Sequence, residues 1–328
     1  MKKQDTPLRT GFTTGVHATF AFWVALEGIV DTQKCCHAIS YKGDNDDLDV
    51  TKGCKITVMF TYNKADLILN PIAHNPYVLG KLSLYAGVGV GVVTKEGLKP
   101  PKGYPAINPT PLKAMEDVYK KYDKKITLPL YATIAIENGE KITKQTANAK
   151  VGVLGGLSIL GTTGIVKPIS SAAYIDSIAT EMGFIKANGY DKVVLTLGNS
   201  SFAQAKKHYK EEQIIEIGNF VHDAIALAQK NEIEKVFFIC GIGKATKVMQ
   251  GHKNTHNRFG NIDFEALKVL IAHELDVEID TEVTKTVKGI TTQLSEKSEA
   301  FYNLIKRDAE KQIKQWFPNI SVETMIVR

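Results

Sequence analysis

From about Lys150 onward, strand-like and helix-like segments alternate along the chain. Apolar runs such as "DKVVLTLGN" and "EKVFFICG" are typical of buried strands, whereas "SSAAYIDSIATEMGFIKANG" and "FVHDAIALAQKN" have helical spacing. Because parallel strands are joined by long crossovers that are usually helices, this alternation predicts βαβ units. We therefore expect a Rossmann-like α/β domain with a largely parallel sheet, a helical C-terminal part and "SVETMIV" as a returning strand.

The first half of the chain has a different pattern. Four segments predict strands, "CKITVMFTYN", "LDVTKG", "GVGVGVVT" and "LPLYATIAIEN". "TTGVHATFAFWVALEGIV" predicts a helix capped by Thr13 or Thr14, and Pro111 opens a second helix over residues 112–121. A chain of 328 residues is too long for one core. We expect a strand-rich α+β domain over residues 1–148 and the Rossmann-like domain over residues 149–328.

Charge and cysteine content narrow the class of partner. The net charge is +6, and the lysines are dispersed rather than clustered. This favours a small acidic ligand over nucleic acid. The four cysteines form no CxxC pair, and no apolar segment is long enough to span a bilayer. We expect a reduced, cytoplasmic protein without a membrane partner.

A glycine-rich loop raises the question of what the chain binds. In "VGVLGGLSILGTTGIVKP", Gly156 and Gly161 have the spacing of a P-loop, but Thr162 stands where that motif needs lysine. The ligand is therefore not expected to be a triphosphate. Three such loops are predicted at the carboxyl edge of the sheet, at residues 155–164, 198–202 and 241–246. The alternative is that each loop is a turn in which glycine serves only packing.

Two further segments leave alternatives open. His252 and His256 are four residues apart, but their segment is rich in Gly and Asn and lacks an HExxH pattern. A polar loop histidine that orients a carboxylate or moves a proton is the better interpretation. Asn108, between prolines in "PAINPTP", is either a turn former or a fixed amide donor.

Several blocks taken together resemble one family. They are "LRTGFTTG", "GVGVVTKEGL", "PAINPTP", "VGVLGGLSILGTTGIVKPIS", "IGNF", "GIGKATKV" and "NTH", in this order. The sequence resembles the CbiD family, the cobalt-precorrin-5B C1-methyltransferases of anaerobic cobalamin biosynthesis. The resemblance implies a two-domain enzyme that uses S-adenosyl-L-methionine to convert cobalt-precorrin-5B to cobalt-precorrin-6A. Cobalt then arrives with the corrinoid substrate, and no protein metal site is predicted.

With this resemblance, the loops and polar residues acquire expected roles. A cradle of glycines and hydroxyls without lysine suits an adenosyl sulfonium, which carries no phosphate. The residues expected to bind the methyl donor are Gly155, Gly156, Ser158, Gly161, Thr162, Thr163 and Gly164. Those expected to bind the substrate carboxylates are Arg9, Thr13, Thr14, Asn108 and Lys244. His256 is the expected catalytic residue for proton transfer.

The chain also departs from the family pattern. His17 stands where a cysteine is usual, Leu112 where arginine is usual, and Ser171-Ala172 where an acidic residue is common. These departures keep a nonenzymatic tetrapyrrole-binding protein of the same pathway as an alternative. A nucleotide-dependent enzyme with a degenerate P-loop is a third hypothesis, which the missing lysine disfavours. Self-association into a homo-oligomer and transient contact with other cobalamin-pathway enzymes stay open.

Overall fold

The computed structural model describes residues 8–47, 49–168, 170–281, 283–284 and 286–328. The chain divides into two compact units, Met1–Ser170 and Ser171–Arg328. The boundary thus lies later than the predicted division at 148/149. The reason is that residues 153–166 pair with strands of the N-terminal half, for example Gly156 with Gly89 and Val166 with Gly11.

The first unit contains three helices and many short strands among its described residues. The helices are α1 (Thr14–Thr32), α2 (Pro109–Tyr122) and α3 (Gly139–Ile142). The strands are β1 (Gly11–Phe12), β2 (Cys36–Tyr41), β3 (Lys55–Thr61), β4 (Tyr77–Leu79), β5 (Leu82–Ala86), β6 (Gly89–Val90), β7 (Val92–Val93), β8 (Leu130–Ile136), β9 (Val153–Leu154), β10 (Gly156–Leu157) and β11 (Ile165–Val166).

A five-stranded sheet forms the centre of this unit, in the order β2-β3-β8-β5-β4. Its neighbours are antiparallel except β5 and β8, which are parallel. The apolar face of α1 packs on the sheet, where Phe22 meets Phe60 edge-on with ring centroids 5.0 Å apart. Burial of such a face is the main stabilising term for a helix of this kind.

The second unit is built around a smaller sheet. Its strands are β12 (Lys192–Thr196), β13 (Ile214–Glu216), β14 (Lys235–Gly241) and β15 (Ser321–Val327). Its helices are α4 (Ser171–Ala187), α5 (Asn199–Ala205), α6 (Val221–Lys230), α7 (Ile242–Met249), α8 (Phe264–Leu275), α9 (Val287–Leu294) and α10 (Ser298–Trp316). The strand order is β13-β12-β14-β15, and every neighbouring pair is parallel.

Most predicted elements occur where the sequence placed them. Mixed α/β architecture is confirmed, the predicted parallel strands are present, and "SVETMIV" forms β15. Thr13 is the N-cap of α1, and α2 begins at Pro109 rather than at residue 112. The strand predicted at "LDVTKG" is wrong for residues 49–53, because none of them is in a strand and residues 50–53 form turns. Leu48, its first residue, lies outside the described residues.

None of the described helices combines the length and the apolar composition that crossing a bilayer requires.

Candidate functional site

The start of α1 lies against the glycine-rich loop within the first unit. The Thr13 hydroxyl accepts a hydrogen bond from the Val16 amide at 3.4 Å, which caps the helix. Thr14 is only 5% exposed, and its hydroxyl accepts from the Leu160 amide at 2.9 Å. The Gly15 amide in turn donates to the Leu160 carbonyl at 2.8 Å. Thr13 and Thr14, predicted for the substrate, therefore adjoin the loop predicted for the methyl donor.

The glycines of this loop are closely packed by the chain itself. A Cβ at Gly156 would lie 2.2 Å from the Gly89 carbonyl oxygen, and one at Gly161 would lie 2.2 Å from the Thr13 hydroxyl. Gly155 has φ +78°, and a Cβ there would meet the Asn70 amide nitrogen at 2.5 Å. Packing inside the first unit is thus sufficient to require glycine at these positions. Their role toward a methyl donor stays a prediction.

The polar residues of the loop differ in their hydrogen bonds and in their exposure to solvent. The Ser158 hydroxyl donates to the Asn148 carboxamide oxygen at 3.4 Å, and the Gly164 carbonyl accepts from the Thr13 amide at 3.0 Å. Thr162 and Thr163 are exposed, and the Thr163 hydroxyl donates to the Ile165 carbonyl at 3.2 Å. Thr162 and Thr163 are therefore the residues of the predicted donor set whose side chains are open to solvent.

Asn108 lies beside the same loop. It is the N-cap of α2, and its amide donates to the Ile159 carbonyl at 3.0 Å. Its carboxamide makes no capping hydrogen bond to the helix. Leu112, one turn further on, packs against the hydrophobic core of the first unit. An apolar residue is therefore explained at that position without any ligand.

Arg9 is held by two aspartates. Its guanidinium donates to the Asp46 carboxylate at 2.8 and 3.0 Å and to the Asp44 carboxylate at 2.8 Å. Hydrogen bonds from Arg9 lower the pKa of both carboxyl groups. A substrate carboxylate would compete with these two groups for the same guanidinium.

His17 occupies the first turns of α1 and has an unusual environment. Its Nδ1 lies 2.7 Å from the Ser40 hydroxyl, while its Nε2 is buried and has no hydrogen-bond partner within the part of the chain that the structure describes. Burial, and then the charge of Lys42, lower the pKa of His17 below its ordinary value of 6.5. The imidazole is therefore neutral near pH 7, and protonating it is unfavourable in the folded state.

We expect His17 to make the protein sensitive to mild acid. The unfolded chain binds a proton at His17 near pH 6.5, whereas the folded chain resists it, so stability falls as the pH drops below about 6.5. Replacing His17 with glutamine should reduce the stability lost between about pH 7 and pH 5.5. Urea unfolding of both proteins at the two pH values measures this. Equal losses would contradict the assignment, because His222 and the carboxyl groups contribute alike to both proteins.

In the second unit, two of the three predicted loops do lie at the carboxyl edge of the parallel sheet. They follow β12 at Gly198 and β14 at Gly241. The loop at residues 155–164 belongs to the first unit instead, where β9, β10 and β11 pair with β7, β6 and β1. From β12 the chain moves to β13 on one side and then to β14 on the other, so the strand order reverses between β12 and β14. In open α/β sheets, ligands bind at this kind of reversal.

The glycines at this reversal differ from those of the first unit. A Cβ added at Gly198, Gly241 or Gly243 would meet no atom within 4 Å. Gly198 also has φ +86°, where a side chain is disfavoured. The backbone here has open space in front of it, as close approach of a ligand requires.

Two lysines of α7 lie near this edge. The Lys244 ammonium donates to the Asn219 carboxamide oxygen at 2.7 Å and to the Thr255 carbonyl at 3.1 Å. Lys247, 5% exposed, donates to the Asn257 carboxamide oxygen at 2.8 Å and to the Gly260 carbonyl at 2.7 Å. The sequence analysis missed Lys247. The signal that could have found it is its spacing from Lys244, since residues three apart share a helix face.

His256 adjoins this lysine pair through the chain. It follows Thr255 and caps a short 3₁₀ turn, with its Nδ1 accepting from the Arg258 amide at 3.2 Å. Its side chain is exposed. The structure thus brings Lys244 and the segment of His256 together in one unit, and the role of His256 in proton transfer stays a prediction.

Comparisons with known proteins all point to the same family. The CbiD family profile matches residues 24–168. The cobalt-precorrin-5B C(1)-methyltransferase of Thermus thermophilus is 34% identical over 82% of this chain and 71% of its own length. The protein of the same name from Pseudomonas fluorescens is 32% identical over 88% of this chain and 83% of its own length.

A solved structure is also similar to the chain. The crystal structure of the cobalamin biosynthesis protein CbiD from Archaeoglobus fulgidus is 22% identical, covers 75% of this chain and 81% of its own, and superposes with a TM-score of 0.35. The sequence matches carry the assignment. At 34% identity across most of both the chain and its relative, this protein belongs to the CbiD family.

Proposed function

We propose that the protein methylates C1 of cobalt-precorrin-5B with S-adenosyl-L-methionine as donor, giving cobalt-precorrin-6A. The observation that carries this proposal is the identity of about one third to relatives named for that reaction, extending over most of the chain. The dispersed excess of positive charge is compatible with a substrate that carries many carboxylates.

Methyl transfer requires the protein to position the donor and the substrate more than it requires reactive side chains. The donor supplies a methyl group on a sulfonium sulfur; a C–C bond to the ring carbon forms as the C–S bond breaks, and the electron pair of that bond stays on sulfur. No covalent enzyme intermediate is needed. The chain has to hold the two reactants in line and exclude water, and orientation of this kind supplies a large part of the rate.

We also propose which parts of the chain serve each reactant. The convergence of Thr13, Thr14 and Asn108 on Leu160 and its neighbours supports a polar substrate surface at the start of α1 in the first unit. The exposed hydroxyls of Thr162 and Thr163 lie in the adjoining loop. In the second unit, the parallel sheet and the glycines with open space in front of them support ligand binding at the carboxyl edge, as in Rossmann-like domains. His256 is the proposed proton-transfer residue.

A transfer assay tests the function. Purified protein is incubated without oxygen with cobalt-precorrin-5B and a donor labelled at the methyl carbon. We expect one labelled methyl group at C1 of the corrinoid by mass spectrometry and carbon NMR. Binding of the corrinoid without donor binding and without transfer would overturn the enzyme and favour a nonenzymatic tetrapyrrole-binding protein. Magnesium-dependent ATP binding would instead support the degenerate P-loop.

A further inference from the structure

The lysine pair of α7, Lys244 and Lys247, is positively charged without a matching negative charge. All four of its hydrogen-bond acceptors are neutral, namely two carboxamide oxygens and two backbone carbonyls. Across the residues that the structure describes, neither ammonium forms an ion pair with a carboxylate. Each ammonium has three N–H donors and uses two of them within the protein.

Such an arrangement is electrostatically unfavourable for the protein chain by itself. Burial lowers the pKa of both lysines, and the charge of Lys247 lowers that of Lys244 further. Buried charges in proteins are normally paired, because an unpaired charge loses its hydration without compensation. The neutral acceptors orient the two ammonium groups but do not neutralise them. Among the residues that the structure describes, the protein itself supplies no anion to the pair.

The position of the pair indicates where an anion from outside the protein would reach it. Lys244 lies in the first turn of α7, directly after Gly241 and Gly243, whose backbone faces open space. The free amides of a helix start add partial positive charge at the same place. Ser201, after the neighbouring strand β12, is fully buried, and its hydroxyl has no hydrogen-bond partner among the described residues. Lys244 is half-buried, whereas Lys247 is 5% exposed.

We propose that Lys244, supported by the charge of Lys247, binds a carboxylate at the carboxyl edge of the sheet of the second unit. This inference rests on the proposed function, which names two molecules that carry carboxylates. One is the methyl donor, through its amino-acid end. The other is the macrocycle, through its acetate and propionate side chains. Both offer the same chemistry to Lys244.

The test compares Lys244→Met with Lys230→Met by titration calorimetry. Lys230 is exposed at the end of α6, so its replacement removes the same charge from the same unit without touching the pair. The donor probes are S-adenosylhomocysteine and methylthioadenosine, which lacks the amino-acid carboxylate. The macrocycle probes are cobyrinic acid and cobinamide, whose side chains are amides. Circular dichroism checks folding, and Lys244→Gln is the second variant if Lys244→Met unfolds.

One carboxylate-bearing probe should bind Lys244→Met about tenfold more weakly or worse than it binds Lys230→Met, as expected for a lost charge-assisted hydrogen bond. Its carboxylate-free counterpart should bind both variants alike. Loss with S-adenosylhomocysteine assigns the carboxylate to the donor, and loss with cobyrinic acid assigns it to the macrocycle. Lys244→Arg, which keeps the charge, should recover part of the affinity.

The proposal is overturned if both carboxylate-bearing probes bind Lys244→Met and Lys230→Met equally. Failure of the site and failure of the function are distinguishable. If the wild-type protein transfers methyl groups while Lys244→Met keeps both affinities, the site is wrong and the function stands. If no transfer occurs while Lys244→Met loses affinity for cobyrinic acid, the function is wrong and the carboxylate site stands.

Discussion

Replacing Gly156 with alanine should lower the free energy of unfolding by about 3 kcal/mol, the upper part of the range for overpacking a tightly built interior. The new Cβ would lie 2.2 Å from the carbonyl oxygen and 2.3 Å from the carbonyl carbon of Gly89. Both contacts are to backbone, which cannot rotate away as a side chain can. The strands β6 and β10, which pair through these two glycines, would have to separate. Thermal and urea unfolding of the full chain measure the loss.

Gly43 offers the matched control. It lies in the same unit, and a Cβ there would meet nothing within 4 Å. Gly43→Ala should therefore change stability by only a few tenths of a kcal/mol, because no contact is strained. If Gly156→Ala were as stable as Gly43→Ala, the close packing described for the glycine-rich loop would be wrong, and a ligand would become the better reason for its glycines.

Replacing Lys42 with methionine should destabilise the protein by about 3 kcal/mol or more, as breaking one side of a buried ion pair does. The Lys42 side chain is 1% exposed and is paired with Asp49, which is 14% exposed. Without the lysine, Asp49 would keep hydrogen bonds from the Thr51 amide and hydroxyl but would lose its counter-charge. Unfolding in urea at neutral pH measures the difference from wild type.

Lowering the pH should reduce the difference in the free energy of unfolding between the wild type and Lys42→Met. Burial acts to raise the pKa of Asp49, but hydrogen bonds from Lys42 and Thr51 outweigh it, and the net pKa lies below the ordinary value of 3.8. A carboxyl group with a lowered pKa stabilises the folded state at higher pH and loses that contribution as the pH falls through its folded pKa. The wild type should therefore lose its advantage over Lys42→Met below about pH 3.8. Losing Lys42 at no cost at neutral pH would refute the pairing.

An exposed pair provides the comparison for Lys42. Lys113 contacts Glu116 at 3.2 Å and Asp117 at 3.0 Å on the surface of α2; Lys113 and Asp117 are exposed, and Glu116 is 35% exposed. Surface pairs of this kind contribute about 0–1 kcal/mol. Lys113→Met should therefore be close to neutral, which separates the effect of burial from the effect of removing a positive charge.

The sequence by itself determined the elements whose signals are local. The apolar runs at β12, β14 and β15 and the helical spacing of α4 and α6 lie within single short segments, and the structure has each of them. Their alternation also predicted the parallel pairing, because a helix between two strands leaves them running the same way. The sequence narrowed the cap of α1 to Thr13 or Thr14, and the structure has it at Thr13.

Tertiary structure decided where the glycine-rich loop belongs. Its sequence predicts a ligand loop of the second unit, but its strands pair with Gly89, Val92 and Gly11, all more than 60 residues earlier in the chain. No local pattern encodes such pairing, because it depends on which distant backbone completes the hydrogen bonds. Glycines of this protein therefore occur in two different surroundings, which the sequence does not distinguish. An added Cβ would meet the backbone of Gly89 at Gly156, whereas at Gly241 it would meet no atom within 4 Å.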